Sequence, residues 1–373
     1  MQKITFLLLF VLVITTIKLP AQTSSDARVR VAVAGITHGH VGWILGRKNK
    51  PDVELVGVYE PDKELRERYA KQYGFSTSLL YDDLGKMLDA VKPEAVLAFG
   101  SIYEHLPVVE ACAPRKIHVM VEKPLSFSLD HALRMEKLAK QYNIHLLTDY
   151  ETSWYATTEK TFQLLNDSNS IGSLKKAIFH HGHEGPKEIR VQKEFLEWLT
   201  DPAKNGGGAI VDFGCYGANL MTYLMKGTKP ISVMANTRTF KPSVYPKVDD
   251  EATIIVNYPT AQCIIQASWN WPFGRKDMEV YGKTGFVFCT DRENMQLMED
   301  AKKPRVSLKA EPLAADRNDP FIYFANVIRG KIKLLPTDMS SLENNETVVK
   351  ILEAAKVSAK TGRTIIWKEF FKK

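Results

Sequence analysis

Short apolar strands alternate with amphipathic helices in the N-terminal part of this chain, and this alternation constrains the fold more than any other feature. Parallel strands need a crossover connection, which is usually a helix, so the pattern predicts a doubly wound parallel sheet. From about Leu174 onward, longer strands follow one another with few helices between them, which is typical of a mostly antiparallel sheet. The apolar runs that we interpret as parallel strands are 29–34, 54–59, 95–99, 119–121 and 144–147.

The length of 373 residues suits about two domains, and the change of pattern places the boundary near residue 150. We expect one domain at 29–149 and a second α/β domain at 150–373 with a large, mostly antiparallel open sheet. The second domain would bind substrate and mediate oligomerisation. A signal peptide at 1–21 and a polar leader at 22–28 would precede them.

The first 21 residues have the pattern of a signal peptide. Lys3 supplies a positive charge, and the apolar run 4–17 is too short for a comfortable membrane span. Leu19-Pro20-Ala21 is an imperfect cleavage site, because Leu19 replaces a small residue. We therefore expect export to a periplasm, cleavage near residue 21 and no membrane span after processing. An uncleaved N-terminal anchor is the alternative.

Charge and cysteine content exclude several classes of protein. The net charge of +7 is scattered, without a basic block, so we expect no nucleic-acid partner. The four cysteines contain no Cys-x-x-Cys pair, which argues against a zinc or iron–sulfur site. We expect buried free thiols, and Cys263 with Cys289 is the one pair to check for a disulfide.

A strand, a glycine turn and a helix follow one another at the start of the first domain, as in a dinucleotide-binding Rossmann unit. The turn is Gly35-Ile36-Thr37-His38-Gly39-His40, in which only the first position of the G-x-G-x-x-G pattern is glycine. The hydroxyl of Thr37 and the helix N-terminus could instead bind pyrophosphate. Glu60 follows the second strand about 25 residues after Gly35, where a carboxylate accepts from ribose hydroxyls and repels a 2′-phosphate. This favours NAD over NADP.

The apolar run 119–121 leads directly into Glu122-Lys123-Pro124. Ligands of open α/β sheets bind at the carboxyl ends of the strands, and the proline restricts the backbone there. We therefore predict that Lys123 aims its ammonium at a ligand; a solvent-facing Glu-Lys pair at a strand end is the alternative.

The glycine turn, Glu60 and the Glu-Lys-Pro segment are followed by two more segments, Gly206-Gly207-Gly208 through Asp212 and Tyr216, and Val248 to Ala252. Their order resembles that of the Gfo/Idh/MocA family, the glucose–fructose oxidoreductase and inositol dehydrogenase type. The resemblance runs from about Val29 to Trp367. It implies an NAD(P)-binding Rossmann domain, a second α/β domain, a tightly held nicotinamide cofactor and a sugar, polyol or similar substrate. It also implies a homo-oligomer that associates through the open sheet.

The resemblance assigns roles to several residues. Lys123 falls on the family's active-site lysine, Asp212 on its acid, and Tyr216 on the acid/base position of the branch that includes dihydrodiol dehydrogenase. A nearby ammonium favours a phenolate, so we expect Lys123 to lower the pKa of Tyr216 and to polarise the substrate oxygen. His183 is a further expected substrate contact. We expect no metal site. The predicted cofactor contacts are Gly35, Ile36, Thr37, His38, Glu60, Gly100, His105, Glu122 and Lys123.

Departures from the family pattern occur at Thr37, His40, Gly100-Ser101 and Asn219, and Asn219 would affect substrate choice. Two alternatives to a simple dehydrogenase use the same parts. One is a glycoside-cleaving or eliminating enzyme in which NAD is reduced and reoxidised within each turnover. The other is a catalytically silent sugar-binding homologue.

Overall fold

The computed structural model describes residues 27–48 and 51–372. The predicted signal peptide at 1–21 and most of the predicted leader lie outside the described residues. In the part of the chain that is described, no helix is long and apolar enough to cross a membrane.

The first sheet has six strands in the order β3-β2-β1-β4-β5-β6, and every neighbouring pair is parallel. This order is that of a doubly wound sheet whose topological switch lies between β1 and β4. The predicted N-terminal fold class is thereby confirmed. The strands are β1 (Val29–Ala34), β2 (Val53–Tyr59), β3 (Leu80–Tyr81), β4 (Ala95–Ala98), β5 (His118–Glu122) and β6 (Leu146–Asp149).

The helices between these strands begin and end where local chemistry dictates. Asp62 accepts a hydrogen bond from the Leu65 amide at the start of α2, and Gly74 ends the helix with φ of 72°. Ser128 caps α5 in the same way through the His131 amide. The helices are α1 (Gly42–Leu45), α2 (Lys63–Tyr73), α3 (Leu84–Val91), α4 (His105–Cys112) and α5 (Leu129–Tyr142).

The second sheet has nine strands in the order β14-β13-β12-β11-β7-β10-β9-β8-β15. Only β7 and β10 pair in parallel, so the expected mostly antiparallel sheet is confirmed. The strands are β7 (Lys176–Gly182), β8 (Ser232–Arg238), β9 (Glu251–Asn257), β10 (Gln262–Ser268), β11 (Arg275–Tyr281), β12 (Phe286–Cys289), β13 (Asn294–Met298), β14 (Val306–Lys309) and β15 (Ile365–Ile366).

One face of this second sheet is covered by helices and the other is open. Along β9 and β10 buried and half-buried residues alternate, because successive side chains of a strand point to opposite faces. The buried set packs against α10 and α12. The helices of this half are α6 (Ala156–Phe162), α7 (Lys193–Leu199), α8 (Pro202–Asn205), α9 (Ala209–Asp212), α10 (Gly214–Leu224), α11 (Pro320–Ile328), α12 (Leu342–Thr361) and α13 (Trp367–Phe370).

Helix α11 comes late in the chain but belongs to the core of the first sheet. Phe321 and Phe324 are each 1% exposed and pack in one cluster with Val31 and other residues of β1. Asp319 caps the helix and also pairs with Arg47, with 2.5 Å between the guanidinium Nη1 and the carboxylate. The sequence pattern gives no indication of this return, because an apolar helix does not reveal which sheet it covers.

All four cysteines are free and buried. Cys263 and Cys289, the pair considered for a disulfide from the sequence, therefore do not form one. Burial raises the pKa of the Cys112, Cys215 and Cys289 thiols to about 12, which makes these residues inert apolar side chains.

Candidate active site

The carboxyl end of β5 meets the break between α9 and α10, and this brings the predicted lysine and aspartate together. The Nζ atom of Lys123 donates to Oδ1 of Asp212 at 2.5 Å and to its backbone carbonyl at 3.1 Å. The indole of Trp269 donates to the other carboxylate oxygen at 2.9 Å. Lys123 and Asp212 are 6% and 3% exposed, so water screens this ion pair little.

Both members of the pair are charged. Burial opposes the ammonium, but the carboxylate of Asp212 outweighs it, so the pKa of Lys123 is raised. Burial also opposes the carboxylate, and Lys123 outweighs it, so the pKa of Asp212 is lowered. The pair is therefore a fixed dipole at the base of the cleft, with Lys123 as donor.

Tyr216 lies beside this pair, on the first turn of α10. Its ring lies 5.1 Å from Nζ of Lys123 and 5.0 Å from Nζ of Lys276, measured to the ring centroid. Burial raises the pKa of Tyr216 well above its usual range, with Glu151 adding to the rise. The expectation that Lys123 lowers this pKa is therefore wrong for the structure, because burial and the nearby carboxylates outweigh the ammonium. Tyr216 is a neutral phenol, able to donate a hydrogen bond.

Lys276 is a residue of the cleft that sequence reasoning missed. It lies on β11, forms a short ion pair with Glu151 and lines the same cavity as Lys123 and Tyr216. The pairing, helped by Tyr155, lowers the pKa of Glu151 to about 2 even though burial opposes it. No motif marks Lys276, since it sits in an ordinary alternating strand, and only the three-dimensional pairing identifies it.

Of the three histidines at the end of β7, His181 and His183 lie beside the cleft and have different surroundings. His183 accepts a hydrogen bond on Nδ1 from the Gly185 amide at 2.9 Å, which places its proton on Nε2 and makes it a donor toward the cleft. His181 is fully buried with its ring edge against Tyr216, and neither ring nitrogen has a hydrogen-bond partner among the described residues. Burial lowers the pKa of His181 to about 3.

The glycine turn after β1 has the shape needed to cradle a dinucleotide. Gly35 has φ of +74°, and a Cβ there would lie 2.7 Å from Cα and N of Gly100. Glu60 accepts from the amides of Ile36 and Asp62, each at 3.1 Å, and burial raises its pKa. Each carboxylate oxygen keeps a lone pair for a ribose hydroxyl, so these residues fit NAD.

The remaining predicted cofactor residues lie near this turn but differ in role. Thr37 accepts a hydrogen bond from the indole of Trp198 at 3.0 Å, and His38 packs against Phe195 and Trp198 of α7. His105 is fully buried, and its Nδ1 contacts the Leu125 carbonyl at 3.1 Å. Its Nε2 has no hydrogen-bond partner within 27–48 and 51–372.

Asn219 does not reach the cleft. Its amide donates to the Met339 carbonyl at 2.8 Å within the contact between α10 and α12. Its replacement of an acidic residue therefore concerns packing in this structure, not substrate choice.

His38, His40 and Glu122 offer ligand atoms that all lie within 4.8 Å of one another, which is a spacing that could hold a metal ion. Their hydrogen bonds favour a different interpretation. Nδ1 of His38 accepts from the His40 amide at 3.1 Å, so its other nitrogen carries a proton and has no lone pair for a metal. Nδ1 of His40 lies 2.9 Å from Oε1 of Glu122. Nε2 of His38 lies 3.8 Å from Oε2 of Glu122, so of the two rings only that of His40 is within hydrogen-bond distance of the carboxylate.

Two cavities meet at these residues. The inner one, of about 290 Å³, is lined by His40, Lys123, Asp212, Tyr216 and other residues. The outer one, of about 580 Å³, is bordered by the exposed Phe273. The lining that both cavities share consists of His183, Ile189, Phe213 and Lys276.

A dinucleotide-binding domain joined to a cleft with a lysine, an acid and a phenol defines the class of NAD(P)-dependent oxidoreductases. Residues 29–150 match the family model described as "Oxidoreductase family, NAD-binding Rossmann fold", and residues 160–288 match the one described as "GFO/IDH/MocA C-terminal domain". The chain belongs to the Gfo/Idh/MocA family. Its first domain is an NAD-binding Rossmann domain. The chain spans 58% and 65% of the length of the first two curated relatives it matches.

Known relatives include dehydrogenases of diols and polyols. The chain is 26% identical to trans-1,2-dihydrobenzene-1,2-diol dehydrogenase of Xenopus tropicalis over 56% of this chain and 58% of that protein. It is 23% identical to myo-inositol 2-dehydrogenase of Thermotoga maritima over 79% and 82% of the two chains. Aldose-aldose oxidoreductase of Caulobacter crescentus, crystallised with glycerol, superposes with a TM-score of 0.75 at 19% identity, covering 91% of this chain and 99% of that one.

Proposed function

We propose that this enzyme moves a hydride between a tightly held NAD and a hydroxyl or keto carbon of a sugar, polyol or glycoside. The observation that carries the proposal is the meeting of Lys123, Asp212 and Tyr216 in the inner cavity, at the carboxyl end of β5. Sugar- and polyol-acting relatives support the same substrate class. When bound, NAD supplies the hydride acceptor or donor.

The residues of the cleft would transfer the proton, orient the substrate and hold the cofactor. The protonated hydroxyl of Tyr216 and the ammonium of Lys123 form the acid/base unit that faces the substrate oxygen. Asp212 fixes Lys123 and can accept from a neighbouring substrate hydroxyl. His183 donates through Nε2. The backbone turn at Gly35 and the carboxylate of Glu60 would hold the dinucleotide.

The direct test uses the natively purified protein. Mass spectrometry under non-denaturing conditions should find NAD bound. Mixing that protein with a panel of hexoses, pentoses, inositols and disaccharides should reduce the bound nicotinamide, which is followed by its absorbance. If NAD is present but no member of the panel reduces it, and no keto sugar oxidises the reduced form, the proposed reaction is contradicted.

Glycoside cleavage by transient oxidation is the second candidate, and the outer cavity favours it. That cavity, of about 580 Å³, continues from the inner one and has the exposed ring of Phe273 at its border, so it offers room and an apolar surface for a second sugar or aglycone. Release of a monosaccharide from a disaccharide without net accumulation of reduced NAD would identify this activity. Net reduction without cleavage would identify a simple dehydrogenase.

Two further properties are proposed from the sequence pattern and the fold. The N-terminal pattern supports export to a periplasm after cleavage near residue 21, and N-terminal sequencing of the native protein would test it. The open face of the second sheet supports a homo-oligomer. No nucleic-acid partner is proposed.

A further inference from the structure

We infer that His40, held by Glu122, is the terminal proton acceptor of the cleft, and that Tyr216 relays the substrate proton to it. The inference deepens the proposed function, on which it rests. His40 occupies the third glycine position of the dinucleotide turn, where the resemblance gives no catalytic role to a side chain.

The geometry around His40 resembles that of a carboxylate–histidine pair. Glu122 is 2% exposed, and its Oε1 lies 2.9 Å from Nδ1 of His40, while its Oε2 accepts from the Lys123 amide at 3.2 Å. The imidazole of His40 stacks on Trp43, with ring centroids 3.9 Å apart and planes 14° apart. The ring is therefore fixed by a hydrogen bond at one edge and by a parallel aromatic face.

The protonation of Glu122 decides the tautomer of His40. Burial opposes the charge on Glu122, but the contact with His40, the hydrogen bond from the Lys123 amide and the nearby Lys123 ammonium favour the carboxylate, so the pKa of this carboxyl is lowered. An ionised carboxylate can only accept, so Nδ1 of His40 carries the proton and donates it. The lone pair is then on Nε2, and His40 lines the inner cavity with its side chain 22% exposed. This is the arrangement of a general base whose orientation a carboxylate fixes.

The other groups of the cleft are poor proton acceptors. Lys123 is an ammonium paired with Asp212, and that carboxylate is occupied by Lys123 and Trp269. Nδ1 of His183 is already bound to an amide. Among the remaining candidates, Tyr216 is a phenol with a raised pKa, and burial lowers the pKa values of His38 and His181 to about 3.

The proton balance of the oxidation follows directly. As the hydride leaves the carbinol carbon, the substrate O–H bond breaks and its proton passes to the oxygen of Tyr216. The former phenolic proton moves to Nε2 of His40 through the shared cavity, and the resulting imidazolium is stabilised by Glu122. In reduction each step reverses. The relay avoids a standing phenolate, which burial and the nearby carboxylates make costly.

A substrate-free experiment tests the state of His40 directly. Nitrogen NMR of protein labelled at histidine should show neutral His40 with its proton on Nδ1, and Glu122→Gln should weaken that preference. Diethyl pyrocarbonate should modify His40 before the buried His38 and His181. A proton on Nε2 of His40, or stoichiometric metal bound to this nitrogen, would overturn the inference whatever the substrate is.

A kinetic experiment uses the sugar that reduces bound NAD in the panel described above. His40→Gln should slow single-turnover oxidation about 100-fold at neutral pH, with recovery at alkaline pH, because general-base catalysis typically contributes at least this factor. His131→Gln, on α5 away from the cleft, is the matched control and should react like the wild type. NAD binding and thermal unfolding of each variant establish that the fold is intact.

The pH profile distinguishes proton transfer from a structural role. The charged and titratable groups around His40 are Glu122, His38, Lys123 and Glu151. Oxidation releases a proton, so the rate of His40→Gln, which has lost the acceptor at this position, should depend on hydroxide more steeply than the rate of the wild type. An unchanged rate and profile in His40→Gln would overturn the inference, whereas the proposed hydride transfer would stand.

Discussion

At the scale of single residues, the site depends on charges that neutralise one another before any substrate binds. Lys123 is paired with Asp212, and Lys276 is paired with Glu151, so the two ammonium groups near Tyr216 do not leave it beside a free positive charge. The phenol therefore starts as an acid. A substrate hydroxyl that hydrogen-bonds to Asp212 would weaken the pairing of Asp212 with Lys123. The positive charge of Lys123 would then act more strongly on Tyr216.

Lys123 and Tyr216 should behave as one unit in mutagenesis. Lys123→Met, Tyr216→Phe and the double variant should leave similar residual rates, each lower than the wild type by about 10²- to 10⁴-fold, because groups that act together are not additive. Single-turnover rates with bound NAD measure this. Rates that multiply in the double variant, or wild-type turnover in Tyr216→Phe, would contradict the assignment.

Glu60 should select NAD over NADP. Its carboxylate ends β2 and is held by the amides of Ile36 and Asp62, so a 2′-phosphate would meet a fixed negative charge. We expect NADP to bind at least about tenfold more weakly than NAD, and Glu60→Gln to reduce that ratio. Calorimetric titration of the cofactor-free protein measures both affinities, and Glu54→Gln at the distal end of β2 is the control. Equal affinities in the wild type would refute this role.

The residues of the site could be predicted where they belong to a sequence motif. They could not be predicted where the site depends on a contact between two distant segments. The sequence indicates Lys123, Asp212 and Tyr216, which the fold brings into one cavity. It gives no sign of Lys276, nor of the contact between His40 and Glu122, which are 82 positions apart. The pKa of Tyr216 was predicted in the wrong direction because the burial that raises it arises only when the chain has folded.

At the scale of elements, α7 covers the dinucleotide turn from the other half of the chain. Trp198 donates to Thr37, Gln192 donates to Tyr69, and an ion pair of 2.7 Å links Arg68 to Glu194. The strands and long helices could be predicted from their periodicity. The contact of α7 with the dinucleotide turn could not, because it forms between segments that are distant in sequence. A helix in this position should slow the exchange of bound NAD.

Trp198→Phe should speed NAD release. The change removes the hydrogen bond of 3.0 Å to Thr37 and keeps an aromatic ring against His38. One such bond contributes about 0.5–1.5 kcal/mol, so we expect a dissociation rate about 2- to 10-fold higher. A chase of bound NAD followed by fluorescence measures it. Glu197→Gln on the exposed side of α7 is the control, and equal rates in all three proteins would exclude the role of α7.

At the scale of the whole molecule, the open face of the second sheet carries an apolar row. Met234, Ile255, Ile264 and Ile178 are register neighbours on β8, β9, β10 and β7. They face away from α10 and α12, and Met234 is 46% exposed. A row of this kind on four adjacent strands is a surface that a second copy of the chain could cover.

Charged substitutions in this row should break the proposed oligomer. Ile255→Lys and Ile264→Lys place ammonium groups in the centre of the expected interface, where they would be desolvated without partners. Light scattering after size exclusion should give a smaller particle for both. Leu133→Lys, on the exposed side of α5, should not change the particle size. A wild-type protein that is already monomeric would contradict the proposed assembly.

The return of α11 to the first sheet also fixes when this polypeptide can fold. Phe321 and Phe324 leave the ribosome almost 300 residues after the strand they cover. Until then the nascent N-terminal half lacks part of its own interior, and contacts so distant in sequence form slowly. We therefore expect the first domain to complete its core only after α11 has been synthesised.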